Sequence, residues 1–396
     1  MRLLTTVLTL TLIPAAALAQ RYPAPGTSLP TLVAGNEQFS RKLLFEAHKA
    51  DPTHNIVLTP LPLTLFLTAV QIESWDSVTT DELAGPFGWA SIYPSSLYGG
   101  SPMLLAAFRR PSPQDLAEIR KRLAAGDHPS VESTWLESTL LYPASHTPES
   151  LLNRRFLHTA RQVFAIHLQS TPTSPRTLPS DAIHLTLQSH MHVQMVWAGN
   201  TFSMSRPFLS TFQPESGPST PAEMQTSELS QYPYARTDDF EAAVLPCYNG
   251  TMTVILPLAG KTISQIEQSL AANPKLLDSM APHIGLITIP SVHLTQSHDL
   301  KPALEALGIH QIFKSLDKLT TVPAKVTDVQ QSLSLNFNRN GIWGDSDTTV
   351  GMVMGGIMAA SEPFQLTLNR PFLFLIREQN TAALTYIGAI MNPTQP

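Results

Sequence analysis

The sequence predicts an α+β fold in one large domain. Helix-like spacing dominates the first half and strand-like alternation the second. No internal repeat and no sharp change of composition divides the 396 residues. A chain that is 43% hydrophobic and 14% charged can bury a sizeable core. The net charge of -5, with no basic tract, argues against nucleic acid or an anionic membrane as partner.

The first residues, "MRLLTTVLTLTLIPAAALAQ", place Arg2 before an apolar run that Pro14 ends, with Ala17 and Ala19 as small residues at a cleavage site. This pattern predicts a signal peptide over 1–19 and a secreted or periplasmic protein. The run is short of the roughly 20 apolar residues of a membrane span, and no later segment reaches that length. Oxidising conditions would permit disulfides, but Cys247 is the single cysteine and reads as a buried, inert thiol.

A proline-rich linker is expected over 20–35, then one domain over 36–396. "NEQFSRKLLFEAHKA" sets Phe39, Leu43, Leu44 and Ala47 on one helix face. "NIVLTPLPLTLFLTAVQ" reads as a short strand and a helix, with Thr59 and Pro60 at its start. The helix is apolar nearly all round, so it belongs in the interior. Further helices are expected at Asp115–Ala125 and Pro148–Ala160, with strands at "ESTWLESTLLYP" and "QVFAIHLQ". From Ile183 to Trp197 the chain gives its clearest period-two pattern, with Met191, Val193 and Met195 on one face and His190, His192 and Gln194 on the other. At ~3.3 Å per residue this strand would run roughly 50 Å, so it belongs to a large sheet. Beyond Phe240 strands prevail, interrupted by helices in "ISQIEQSLAANPK" and "HDLKPALEALGI".

The usual enzyme signatures are absent: there is no G-x-S-x-G, no phosphate-binding loop, no G-x-G-x-x-G and no H-E-x-x-H. His190 and His192 share a strand face and could share a metal, but no third ligand stands at paired spacing, and a polar sheet face is the simpler reading. Asn249-Gly250-Thr251 matches a glycosylation sequon and also reads as a tight hairpin. No cofactor or metal is expected.

Four ordered blocks resemble the serpin family. The first, "NIVLTPLPLTLFLTAVQIESWDSVTTDEL", ends in a T-x-x-E-[LI] signature at Thr79–Leu83. "EAAVLPCYNGTMTVILP" resembles a family hairpin. "ITIPSVHLTQSHDLKPALEALGIHQIF" matches at Pro290, Asp299, Leu300, Leu307, Gly308 and Phe313. "LNRPFLFLIREQNTAALTYIGAIMNP" matches the C-terminal signature at Asn369, Pro371, Phe372, Phe374, Thr381, Gly388, Asn392 and Pro393.

The resemblance implies a large central sheet, two further sheets and up to nine helices, with an exposed reactive-centre loop at about 341–364. In inhibitory members a protease cleaves this bait, and the loop enters the central sheet as a new strand. Gly341, Ile342, Gly344, Ser346 and Thr348 fall in the hinge. Ile342, Gly344, Ser346, Thr348, Val350, Met352 and Met354 form an uncharged face, opposite Trp343, Asp345, Asp347 and Thr349. Counting from the hinge sets the scissile bond near Met354-Gly355. Counting back from Asn369 sets it near Met358 and Ala359. Neither register offers Arg or Lys, which implies an extracellular or periplasmic serine protease of elastase, subtilisin or chymotrypsin type.

Several positions depart from the family pattern. Arg339 stands where a glutamate precedes the hinge. At the sheet-opening region Thr59 and Pro62 replace two serines, and Val193 and Gln331 replace an asparagine–histidine pair. The stretch after "FAIHLQ" is too short for the helix the family lays over the sheet. Two functions are therefore compatible with the resemblance. One is a monomeric suicide inhibitor of serine, or cysteine, endopeptidases. The other is a non-inhibitory binding protein whose loop is cut without trapping the protease.

Overall fold

The computed structural model describes residues 25–74, 77–90, 92, 94–109, 114, 133–171, 186–199, 201–202, 206–327, 329–344 and 363–395. The first half holds α1 (Pro25–His48), β1 (Ile56–Leu58), α2 (Pro60–Ser74), α3 (Ser77–Phe87), α4 (Gly100–Ala107), β2 (Ser133–Pro143), α5 (Pro148–Leu151), α6 (Arg154–Gln162), β3 (Ile166–Thr171) and β4 (Thr186–Met195). Strands β5 (Phe208–Phe212), β6 (Thr220–Thr226), β7 (Ser230–Arg236), β8 (Phe240–Cys247) and β9 (Gly250–Pro257) follow, then α7 (Ile263–Ala272). The chain closes with β10 (Ala281–Pro290), β11 (Val292–Asp299), α8 (Lys301–Ala306), β12 (Gln330–Asn338), β13 (Gly341–Gly344), β14 (Phe364–Thr367), β15 (Phe372–Glu378) and β16 (Leu384–Ile390).

The strands make two hydrogen-bonded sheets. The first has ten, in the order β1-β16-β15-β9-β8-β7-β10-β6-β5, with β14 also on β10. The resemblance implied two sheets here. They are continuous because β10 pairs with β7 along its first half and with β6 along its second. The second sheet has six, in the order β11-β12-β13-β4-β2-β3. The inward faces of the two sheets share one buried cluster, in which Val193, Leu335 and Phe337 meet Val254, Ile287 and Phe374. Apolar alternation on both sheets dictates this packing, since each sheet must cover one face.

Helix α2 is buried almost all round, as its composition requires. It is tied to α1 and β16 through Asn36, which accepts from Thr64 Oγ1 at 2.8 Å and donates to Leu384 O at 2.9 Å. On α1, Phe39, Leu43 and Leu44 are buried on one face.

Three local expectations differ from the structure. The linker expected over 20–35 is already helical from Pro25, because Leu32 finds a fully buried position and the chain nests against α4. The single helix expected at Pro148–Ala160 is broken into α5 and α6. Leu152 turns extended to bridge Thr320, and Asn153 restarts the helix by accepting from Arg155 N at 3.0 Å. In the β8–β9 hairpin the turn residues are Tyr248 and Asn249, and Gly250 is already paired with Cys247. His190 and His192 lie on β4, across from β2. They flank Trp135 at ring distances of 5.0 and 5.4 Å, and no group of three or more metal-ligating side chains occurs among the described residues.

The signal peptide, the helix at Asp115–Ala125 and the stretch 172–185, where a family helix is expected to be missing, lie outside the described residues. Among those described, no helix is long and apolar enough to cross a membrane.

Candidate functional site

Strand β13 occupies a position between β12 and β4. It returns from β12 through a two-residue turn at Arg339 and Asn340, with Asn338 paired to Gly341. It then pairs antiparallel with both neighbours, so Ile342 lies opposite Phe337 on one side and Met195 on the other. Gly341 has φ 145, and a Cβ there would lie 2.2 Å from Met195 O. Only glycine satisfies both conditions. The turn is pinned by the buried Trp197, whose Nε1 donates to Asn338 O at 2.7 Å.

The described part of the ladder runs to Gly344, which lies opposite Val193. Beyond it, β4 and β12 enclose a cavity of about 340 Å³. Its walls include Ser189, His190 and Met191 from β4 and Gln330 to Ser334 from β12, with Thr59, Pro62 and Tyr386 at its floor. Strand spacing explains the gap: β13 holds its two neighbours one strand-width apart on each side, and below Gly344 that width lies between two walls.

Two glutamines hold one wall. Among the described residues, β1 pairs with β16 along one edge. Along the other, Val57 N donates to Gln296 Oε1 at 2.9 Å, and Gln296 Nε2 donates to Asn55 O at 2.7 Å. Thr59 N donates to Gln331 Oε1 at 2.9 Å, and Gln331 Nε2 donates to Thr59 O at 2.8 Å. Side-chain amides thus complete a strand edge and bolt β11 and β12 to the first sheet. The opposite wall receives a hydrogen bond from Tyr386 Oη to Met191 O at 3.3 Å.

Replacing Gln331 by Leu strands the Thr59 N–H and C=O, each at about 1–3 kcal/mol when buried and unpaired. The expected loss is about 2–4 kcal/mol in denaturant unfolding, with faster hydrogen exchange at Thr59.

Of the residues singled out from sequence, Thr59, Pro62 and Gln331 come together at the cavity. Val193 does not join them. It sits at the rung of Gly344, and Ser189 instead faces the cavity on the β4 side. Gly341, Ile342 and Gly344 stand in β13, with Ile342 fully buried. Ser346, Thr348, Met354, Gly355, Met358 and Ala359 lie outside the described residues. Sequence reasoning missed Gln296 and Trp197. The signal for Gln296 is a polar residue continuing the inward face of Val292 and Leu294, and Gln331 stands likewise before Leu333, Leu335 and Phe337.

The first and third sequence blocks also meet. Glu82, in the T-x-x-E-L segment, accepts from His310 N at 2.8 Å and Gln311 N at 2.6 Å, just after α8. The sequence profile of the family described as Serpin (serine protease inhibitor) matches residues 34–393. The chain belongs to the serpin family. It is 24% identical over 379 residues to serine protease inhibitor A3L of Rattus norvegicus, covering 92% of this chain and 89% of the relative. Alpha-1-antiproteinase S of Cavia porcellus is 23% identical over 394 residues, covering 95% and 93%. Among solved structures, cleaved serpin 42Da superposes with TM-score 0.71 at 16% identity, covering 94% of this serpin and 100% of that chain. Human glycosylated kallistatin gives 0.69 at 16% identity, covering 94% and 100%. These similarities carry the fold, and members of the family are in general protease inhibitors rather than catalysts.

Proposed function

We propose that this serpin is a secreted inhibitor of serine endopeptidases of elastase, subtilisin or chymotrypsin type, acting as a suicide substrate. The observation that carries this reading is β13, paired between β4 and β12, with a cavity lined by the continuation of those two strands next to it. Extending its register sets Ser346 opposite Leu333 and Met191, and Thr348 opposite Gln331 and Ser189. The buried Ile342 fixes the parity, so the uncharged set faces the core and Asp345 and Asp347 face outward. No charged side chain would have to be desolvated.

In this mechanism the protease serine attacks the carbonyl carbon of Met354 or Met358. The peptide bond breaks, an acyl ester forms, and the new amine leaves with a proton. The freed N-terminal arm fills the strand position and carries the esterified protease away before water hydrolyses the ester. The serpin's own residues supply the slot, its apolar inner face and the Gln331 and Gln296 ties that keep one wall in place.

Mixing the protein with pancreatic elastase, subtilisin and chymotrypsin tests this directly. The expected result is a complex that survives SDS, with the bond located by mass spectrometry. Complete loop cleavage by all three with no such complex sinks the inhibitor reading and leaves the second one, a binding protein whose loop is merely cut. Trp343 and Asp345 beside the hinge, where the family places small residues, favour that alternative.

A further inference from the structure

The last turn of α1 carries a buried histidine that the inhibitory mechanism does not use. His48 and Glu267, on α7, are each 2% exposed. His48 Nδ1 lies 2.7 Å from Glu267 Oε1. The other ring nitrogen, Nε2, donates to His54 O at 3.0 Å. One imidazole therefore joins the end of α1 to α7 and to the connection that leads into β1.

These contacts fix how many protons the pair must hold. A backbone carbonyl only accepts, so Nε2 has to carry a hydrogen. The contact with Glu267 needs one more. It sits either on Nδ1, facing a carboxylate, or on the carboxyl, facing a bare Nδ1. Both arrangements hold the same single proton beyond neutral imidazole and carboxylate. Without it a lone pair faces a buried anion, and the hydrogen bond is lost.

The surroundings favour keeping that proton. Asp51, on the connection, acts on His48, and Glu215, between β5 and β6, acts on Glu267. Glu215 reaches this region by accepting from Ile263 N at 2.8 Å, at the start of α7. The His54 ring is exposed and pairs with Asp51 at 2.8 Å, and the exposed Lys49 pairs with Glu46 at 2.7 Å. Burial by itself lowers the His48 pKa, but the hydrogen bond and charge of Glu267 outweigh it and hold it above the ordinary 6.5. Burial raises the Glu267 pKa above its ordinary 4.5, against the pull of His48.

We propose that His48 and Glu267 form a proton-held latch, closed in mildly acidic surroundings and released as pH rises, which makes the seating of α1 and of the α1–β1 connection pH-dependent. The latch does not depend on whether the loop inserts. Its sign follows from the protons bound in each state. Unfolded, the two groups together hold about one proton between 4.5 and 6.5 and lose it above 6.5. The folded pair keeps it. The contribution to stability is therefore fully present below 6.5 and is lost as pH rises through the folded-state value.

The test compares urea unfolding of the full chain and of Glu267→Gln from about pH 6 to about pH 9. A glutamine amide supplies covalently the hydrogen that the proton supplies in wild type, so a neutral His48 keeps both its bonds. Glu267→Gln should therefore fold at pH 6. Above 6.5, the ratio of the wild-type folding constant to that of the variant should fall about tenfold per pH unit until the latch opens. Refolding at about pH 8 should take up about one more proton in wild type than in the variant. His54 and Asp51 are the same in both proteins and cancel in the comparison. Parallel stability curves with equal proton uptake overturn the latch. So does a Glu267→Gln chain that cannot fold at pH 6, since the pair would then need the charge itself and not the hydrogen.

Discussion

Cleavage of the loop after Met354 or Met358 is expected to raise the melting temperature of this serpin by about 10 °C or more. The reason lies in the two walls below Gly344. A strand continuing β13 from Asp345 to Thr349 would meet β12 as far as Gln330 and β4 beyond it. A central strand gains ladder hydrogen bonds on both edges, each worth about 1 kcal/mol net. Its inward residues fill a cavity of about 340 Å³ against Leu333, Met191 and Tyr386. For a chain of this size each kcal/mol is worth roughly 2 °C, so several kcal/mol of net gain is plainly measurable. The check is a melting curve before and after limited proteolysis, with mass spectrometry to show one cut. An unchanged curve on a fully cut sample contradicts insertion.

The second large effect is expected at Glu37, on α1. Its Oε1 accepts from Arg377 Nη2 at 2.7 Å and also pairs with Arg41. Arg41 is buried and spends its other nitrogen on Asn273 O and Pro274 O at 3.3 and 3.0 Å. Arg377 also donates to Thr253 Oγ1 at 3.1 Å. One carboxylate therefore neutralises two guanidinium groups that join α1, β15 and the end of α7. Glu37→Gln removes the carboxylate that pairs with both and is expected to cost about 3–5 kcal/mol, or about 6–10 °C in melting temperature. Burial alone would raise the Glu37 pKa, but Arg377 and Arg41 outweigh it and hold the carboxyl below its ordinary value of 4.5. A depressed carboxylate contributes stability that is complete above the unfolded-state value and lost as pH falls through the folded one. The gap between wild type and Glu37→Gln should therefore be full at pH 7 and close as pH falls below 4.5. A gap that stays constant to low pH would show that charge compensation is not the cause.

Much of the fold is legible in the sequence wherever burial writes a simple period. The alternation around Val193 and Met195 and the apolar α2 are of that kind, as is the C-terminal pair β15 and β16. Local chemistry also reads directly where donor and acceptor are close in sequence, as in the Thr262–Gln265 capping box of α7. It fails where a distant partner intervenes. The break between α5 and α6 depends on Leu319 and Thr320, which no window around Asn153 contains. The start of α1 depends on a docking surface from α4.

The loop shows the same division. The sequence by itself determined that residues after Gly341 alternate between an uncharged set and an acidic set, because side-chain parity along an extended chain is local. It also puts a glycine, Gly341, where the family resemblance implies a hinge. Only the tertiary structure decided that this glycine passes over the Met195 carbonyl and that Ile342 lies between Phe337 and Met195. The strand position below it is likewise a tertiary product, bounded by Ser189 and Gln331 from strands more than a hundred residues apart. Register between distant strands is set by the packing of whole faces against a shared core, and no single segment carries that information.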